Sequence, residues 1–293
     1  MWTLIWLTTT VFGRDGLEPT DRLVPPGWQG NPWGPVATRA RENGQIPPIT
    51  MSPTMKQWDA WGKNVLRDGD IVFRRADARV LFGRFPFSRF IANVTNSRFS
   101  HTGIVAVEKG EPVVYDTTKA GVRRQPFAVW MLDNVGAFGV KRVQPALHDR
   151  AQKAVEWCRD RYQRQVPFDY DLNLNDNALY CVEMTEKAYR AAGLKLSDPV
   201  RLAEMERVAE YPVCIFVFMQ LSPLKLDQQV FFPGNERHGI WSCPSLQTVY
   251  VSPPPAPTAS RRPAARPTSP TSDRRSPATP SQATAIRGAA RPS

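Results

Sequence analysis

Three residues in this sequence have the chemistry of a nucleophilic site: a thiol at Cys181, an imidazole at His101 and a carboxylate at Asp116. Cys181 lies in Tyr180-Cys181-Val182-Glu183-Met184, ahead of a helical pattern. Asn175, Asp176 and Asn177 are N-cap types, Gly193 is a helix terminator, and Glu183/Lys187 and Glu186/Arg190 are i,i+4 pairs in the favourable order. These signals predict a helix over residues 178–192, with Cys181, Met184, Thr185, Ala188 and Ala192 on one face. A thiol in the first turn meets unsatisfied N–H groups and the positive end of the helix dipole, which favour the thiolate. A lone inward cysteine is more often a small core hydrophobe, so a catalytic role requires a base beside it.

The chain holds three histidines, at 101, 148 and 238. His101 begins His101-Thr102-Gly103-Ile104-Val105-Ala106-Val107, and a second β-rich run ends in Val113-Val114-Tyr115-Asp116. The short Gly-containing segment between them, residues 108–111, predicts a hairpin. A symmetric turn sets 107 opposite 112, 105 opposite 114 and 103 opposite 116, so His101 and Asp116 become diagonal neighbours on one face. A one-residue bulge would separate them. His148 falls at the start of another helix and His238 in a Gly/Asn/Pro-rich loop, where neither has a partner of this kind.

Asp149 to Gln163 reads as an amphipathic helix with Cys158 in its apolar stripe. Helical spacing also marks Pro53–Leu66 and Phe85–Asn96. Ile71–Phe73, Val122–Gln125 and Phe138–Val143 read as strands, Pro126–Leu132 as a helical turn and Leu202–Glu210 as helix. Val213–Met219 is expected to be a short buried strand or helix, and Phe231–Val251 irregular or β structure closing the domain.

The ends differ from this core. Residues 1–12 are apolar but too short to span a bilayer and lack a basic flank, so no convincing signal peptide or membrane span is read there, and a misplaced start, a membrane-touching arm and a β-like segment all stay open. Residues 1–50 as a whole read as an extended, Pro/Gly/Trp-rich arm, and 51–251 as the globular domain. Residues 252–293 hold ten prolines and seven arginines and read as a disordered tail. The net charge is +11, but this tail supplies +6 of it and contains no aromatic residue to stack on bases. No nucleic-acid partner is therefore expected, and the tail offers at most a weak contact with an anionic surface. The four cysteines, 158, 181, 214 and 243, form no C-x-x-C pair, which argues against a zinc ribbon or disulfide framework, and no cofactor is called for.

The segments Asp68-Gly69-Asp70-Ile71-Val72-Phe73, Arg98-Phe99-Ser100-His101-Thr102-Gly103-Ile104, Pro167-Phe168-Asp169-Tyr170 and Leu179-Tyr180-Cys181-Val182-Glu183 resemble the circularly permuted papain-like hydrolases of the NlpC superfamily, in its YiiX/YebB-like branch. The resemblance implies an α+β fold, a permuted papain-like core in which a small antiparallel sheet packs against the helix carrying the cysteine. It also implies a site of Cys181 as nucleophile, His101 as general base and Asp116 as third residue, with Tyr180 and Gly103 as oxyanion or substrate-lining positions. Two departures stand out: Asp116 replaces the commoner glutamate, which is expected to lengthen its bond to the imidazole, and Val182 replaces the usual serine.

The expected function is thiol hydrolysis of an amide bond in a peptide or peptidoglycan-like substrate through an acyl-enzyme. The alternatives are a lipid acyl hydrolase or acyltransferase related to lecithin:retinol acyltransferases, whose N-C-E-H-F type motif is lacking, and a non-catalytic peptide- or glycan-binding module.

Overall fold

The computed structural model describes Thr20, Leu23 and residues 27–79, 85–221 and 224–252. The apolar residues 1–12 and the tail from 253 lie outside the described residues. Clustering divides the chain into Met1–Pro255 and Ala256–Ser293, and every described residue belongs to the first unit.

Fifteen named elements organise the described residues: α1 (Pro35–Glu42), α2 (Pro53–Val65), β1 (Ile71–Arg74), α3 (Phe87–Val94), β2 (His101–Glu108), β3 (Glu111–Thr118), β4 (Gly121–Pro126), α4 (Phe127–Trp130), β5 (Phe138–Val143), α5 (His148–Gln163), α6 (Cys181–Ala191), β6 (Val200–Arg201), α7 (Pro212–Leu221), β7 (Gln229–Val230) and β8 (Leu246–Val251). Six strands form one sheet in the order β4-β3-β2-β1-β5-β8, with antiparallel neighbours throughout. β6 and β7 make a separate two-stranded ribbon.

Strand alternation sorts the core into two layers. Ile71, Phe73, Ile104, Ala106, Val113 and Tyr115 face α5 and α6, meeting Ala154, Val155, Cys158, Met184, Ala188 and Tyr189. Val72, Val105 and Val114 face the other way and pack with Phe127, Trp130 and Phe138, flanked by Trp58 and Trp61 of α2. The sheet is thus covered on both faces, which is why its central strands read as nearly continuous apolar runs.

Several sequence expectations shift. The arm contains helix α1, and its Trp33, Ala37, Ala40 and Ile46 are buried, so residues 27–50 are not simply extended. Leu202–Glu210 is two 3-10 turns rather than one helix. Pro212–Leu221 is helical, but Val213 and Phe216 are 72% and 65% exposed, so the expected burial does not hold. That helix contains no charged residue, and its Cys214 and Ile215 pack against the core.

Candidate active site

The predicted hairpin register is the observed one: Val105 pairs with Val114, Val107 with Pro112 and Glu108 with Glu111. It brings the His101 Nε2 within 2.7 Å of Asp116 Oδ2, so the aspartate makes a short bond rather than the lengthened one expected of a shorter acid. Gly103 explains the fit. A Cβ there would lie 2.5 Å from Val114 Cγ1 and 3.3 Å from Asp116 Cβ, so only glycine lets the two strands approach beneath the acid. Gly103 therefore spaces the site and does not line the cleft described below, contrary to the expectation for it.

Asp116 is fully enclosed and strongly held. Arg123, directly opposite on β4, donates from Nε to Oδ1 at 2.9 Å and from Nη2 to Oδ2 at 2.8 Å. Trp130 Nε1 donates to Oδ2 at 2.8 Å. Arg74, opposite His101 on β1, lies 3.8 Å from the same oxygen, stacks over the Trp130 ring and sits 3.4 Å from Asp133 Oδ2. Asp133 also accepts from the backbone N–H and hydroxyl of Thr20. Burial alone would raise the Asp116 carboxyl, but Arg123 and His101 hold it well below the usual carboxylate range. An ionised Asp116 can only accept, so His101 Nε2 carries the proton and Nδ1 remains for another partner.

That partner is the Cys181 thiol. Burial opposes charge on His101, and Arg74 repels it; against these, the charge of the Cys181 sulfur, the bond to Asp116 and the bond to Cys181 raise the imidazole to about 9. His101 is the buried histidine, whereas His148 and His238 are exposed.

Cys181 is the first residue of α6. The helix begins three residues later than predicted because the cap is Tyr180, not the Asn-Asp-Asn run. Glu183 reaches back to accept the Tyr180 N–H at 3.1 Å, half of a capping box. Burial lifts the Glu183 carboxyl to about 7, against Lys187, which lies 2.9 Å from it. Lys187 also donates to the carbonyls of Leu174 and Asn175 and so ties the preceding loop to the helix. The Thr102 and Thr185 hydroxyls lie 2.9 Å from each other and each 3.3 Å from the Cys181 carbonyl, so one donates to the carbonyl and the other to its neighbour. Thr102 faces α6 while His101, its neighbour at the strand end, belongs to the opposite face. The site therefore straddles the end of β2, with the sulfur arriving from one layer and the acid network from the other.

Beside Cys181 lies a cleft of about 780 Å³ including its mouth, walled by residues such as Phe87, Ile91, Phe168, Val182, Met205 and Phe231. Its tyrosine hydroxyls are committed elsewhere. The Tyr180 hydroxyl lies between the N–H and carbonyl of Phe231, Tyr170 donates to the Lys119 carbonyl, and Ser100 Oγ accepts the Ala76 N–H. Tyr180 thus lines the cleft with its ring, and its hydroxyl is not turned to a substrate oxyanion.

A family model described as a permuted papain-like amidase enzyme, YaeF/YiiX, C92 family, matches residues 65–218. The chain belongs to that family. This C92 family chain is 26% identical over 140 residues to the uncharacterized protein YiiX of Escherichia coli K12, a match that spans 47% of this chain and 65% of that relative. A crystal structure titled as metalloprotein YiiX from Escherichia coli O157:H7 superposes with a TM-score of 0.54 at 23% identity, covering 64% of this chain and 98% of that one, and shows the same fold. The word metalloprotein belongs to that structure. Among the described residues of this C92 chain, no group of three or more His, Cys, Asp or Glu side chains is arranged to hold a metal ion. At the site itself Asp116 already accepts from Arg123, Trp130 and His101, a set that does not fit metal ligation.

Sequence reasoning missed Arg74, Arg123, Trp130 and Asp133. The available signal was an arginine at an inward strand position, Arg123, which a two-residue turn at 119–120 places opposite Asp116.

Proposed function

We propose that this protein is a cysteine hydrolase that opens an amide or ester bond whose acyl group is a long apolar chain. In the reaction, His101 takes the Cys181 proton, and the sulfur attacks the carbonyl carbon while first-turn N–H groups of α6 receive the developing oxyanion. The tetrahedral adduct collapses, His101 gives its proton to the leaving amine or alcohol, and an acyl-thioester on Cys181 remains. Water then attacks that thioester with His101 as base, releasing the acid and restoring the thiol. Asp116 keeps the proton on Nε2 and so fixes the tautomer that can serve the thiol.

The observation that carries the substrate class is the cleft. Its walls are apolar and its two tyrosine hydroxyls are already bonded, so a glycan or a charged peptide would lose most of its hydrogen bonds to water there without replacement. An acyl chain loses none. This favours the lipid acyl reading over the peptidoglycan-like one.

The test is a series of N-acyl amides and acyl esters of increasing chain length, with intact mass spectrometry of rapidly quenched protein. The expected result is an acyl increment on Cys181 and a kcat/KM that rises with chain length until the cleft is filled, by about fourfold per added methylene at most. An increment found only with peptide or muropeptide substrates, or a rate indifferent to chain length, would refute the acyl reading.

A further inference from the structure

We propose that helix α7 is a membrane-docking element that seats the mouth of the site on an anionic lipid surface. The inference rests on the acyl-chain reading above for its purpose, but on separate residues for its evidence.

Seven large hydrophobic residues are exposed among the described residues, and four of them, Val213, Phe216, Val217 and Leu226, fall within a single stretch of fourteen. Val213, Phe216 and Val217 follow i, i+3, i+4 spacing and are 72%, 65% and 37% exposed, so they form one outward face. The helix, Pro-Val-Cys-Ile-Phe-Val-Phe-Met-Gln-Leu, contains no charged residue. Cys214 and Ile215 seat its other side on the core. Among the described residues no helix is long and apolar enough to cross a membrane, so α7 would lie in the interface rather than span it.

The apolar surface continues toward the cleft. Leu224 is buried and lines it beside Leu202 and Met205, and Leu226, two residues on, is 42% exposed. A chain drawn from a bilayer would thus meet apolar side chains between the lipid and Cys181. Of the charges near this stretch, Arg207 pairs with Glu210 and Arg201 with Glu204, while Lys225 and Asp227 flank Leu226 with opposite signs.

Charge selects the occupant. Residues 1–251 carry +5 without the arginine-rich tail, so two copies of the domain repel one another, whereas an anionic lipid surface attracts each of them.

The experiment is co-sedimentation of the full chain with phosphatidylcholine vesicles prepared with and without phosphatidylglycerol, comparing the native protein with a Val213→Glu, Phe216→Glu double variant. The native chain is expected to bind the anionic vesicles and the variant to lose about tenfold or more in partitioning, with an unchanged melting temperature and unchanged turnover of a water-soluble short-chain acyl ester. Equal binding by the two proteins, or binding lost only when residues 253–293 are deleted, would overturn the proposal, since the tail alone would then account for it. A change from dimer to monomer in the variant, with vesicle binding intact, would also overturn it and make α7 a self-interface. Failure of the acyl-chain reading has a different signature: vesicle binding that depends on α7, with no Cys181-dependent turnover of any acyl substrate.

Discussion

Replacing Cys181 with alanine should release His101 from much of its charge stabilisation, and the size of the effect can be worked out from the site. The native imidazole is raised from 6.5 to about 9, which corresponds to about 3 kcal/mol in favour of the charged ring. That surplus remains after burial and Arg74 have both acted against it, so Cys181 and Asp116 together contribute more than the net figure. A negative charge about 4 Å away is worth about 4 kcal/mol at an effective dielectric of 20. Asp116 stays in place at 2.7 Å in the variant, but much of its charge is already matched by Arg123. We therefore expect the His101 titration to fall by roughly two units in Cys181→Ala.

NMR of histidine labelled at Cε1 reads this directly, because the chain has three histidines and the exposed His148 and His238 serve as internal controls. The same linkage predicts a stability effect. Since the folded value lies above the unfolded one, His101 contributes stability that is fully present below about 6.5 and is lost as pH rises through about 9. Urea midpoints of the native protein should fall across that window, and those of Cys181→Ala should fall less. A native His101 that titrates near 6.5, or a variant titration identical to the native one, would refute an imidazole charged against the sulfur.

Trp130→Phe keeps the ring under Arg74 but deletes the donor to Asp116 Oδ2; a charge-assisted bond of this kind is worth about 1.5–3 kcal/mol, and urea denaturation should show a loss of that order. Glu183→Gln tests the buried acid in the first turn behind Cys181. Burial lifts its folded value to about 7 from 4.5, so the native protein loses stability as pH rises through that interval, and the glutamine variant should be the more stable by up to about 3 kcal/mol above neutrality while showing no such gain below pH 4.5. Peptide mapping after brief iodoacetamide treatment should find Cys181 modified ahead of Cys158 and Cys243, since both of those thiols are buried and burial pushes both upward.

The sequence disclosed the hairpin because its register rests on strand alternation and a short loop, which are local rules. The same rules made His101 and Asp116 neighbours before any side chain was seen. The cysteine helix was legible for a similar reason, although its start was not: Asn175, Asp176 and Asn177 looked like caps, and the backbone chose Tyr180 because Glu183 could reach back to it in a buried setting. The second layer on the sheet was harder to see. The aromatic residues of α2 and α4 read as helical stripes, but nothing local says which face of which strand they cover. The exposure of α7 ran against the usual meaning of an apolar run, because burial is a property of what surrounds a segment.

The missed arginines change how the proposed triad is understood. Asp116, taken as a free orienting carboxylate, is one member of a buried set with Arg74, Arg123 and Asp133 in which two positive and two negative charges balance. In such a set, removing one charge strands another in a dry interior at a cost of about 3–5 kcal/mol, so the acid is fixed structurally before it does anything chemical. Because its charge is already matched, Asp116 orients His101 without fully neutralising an imidazolium. The other group that favours charge on the ring is Cys181, at the first turn of α6. The shorter side chain of aspartate, which looked like a weakening departure, is what places the carboxylate between His101 and Arg123 on adjoining strands while Gly103 leaves room beneath it. A glutamate at 116 would push an extra methylene into that packed layer, and the bidentate clamp of Arg123 and the short bond to His101 could not both persist.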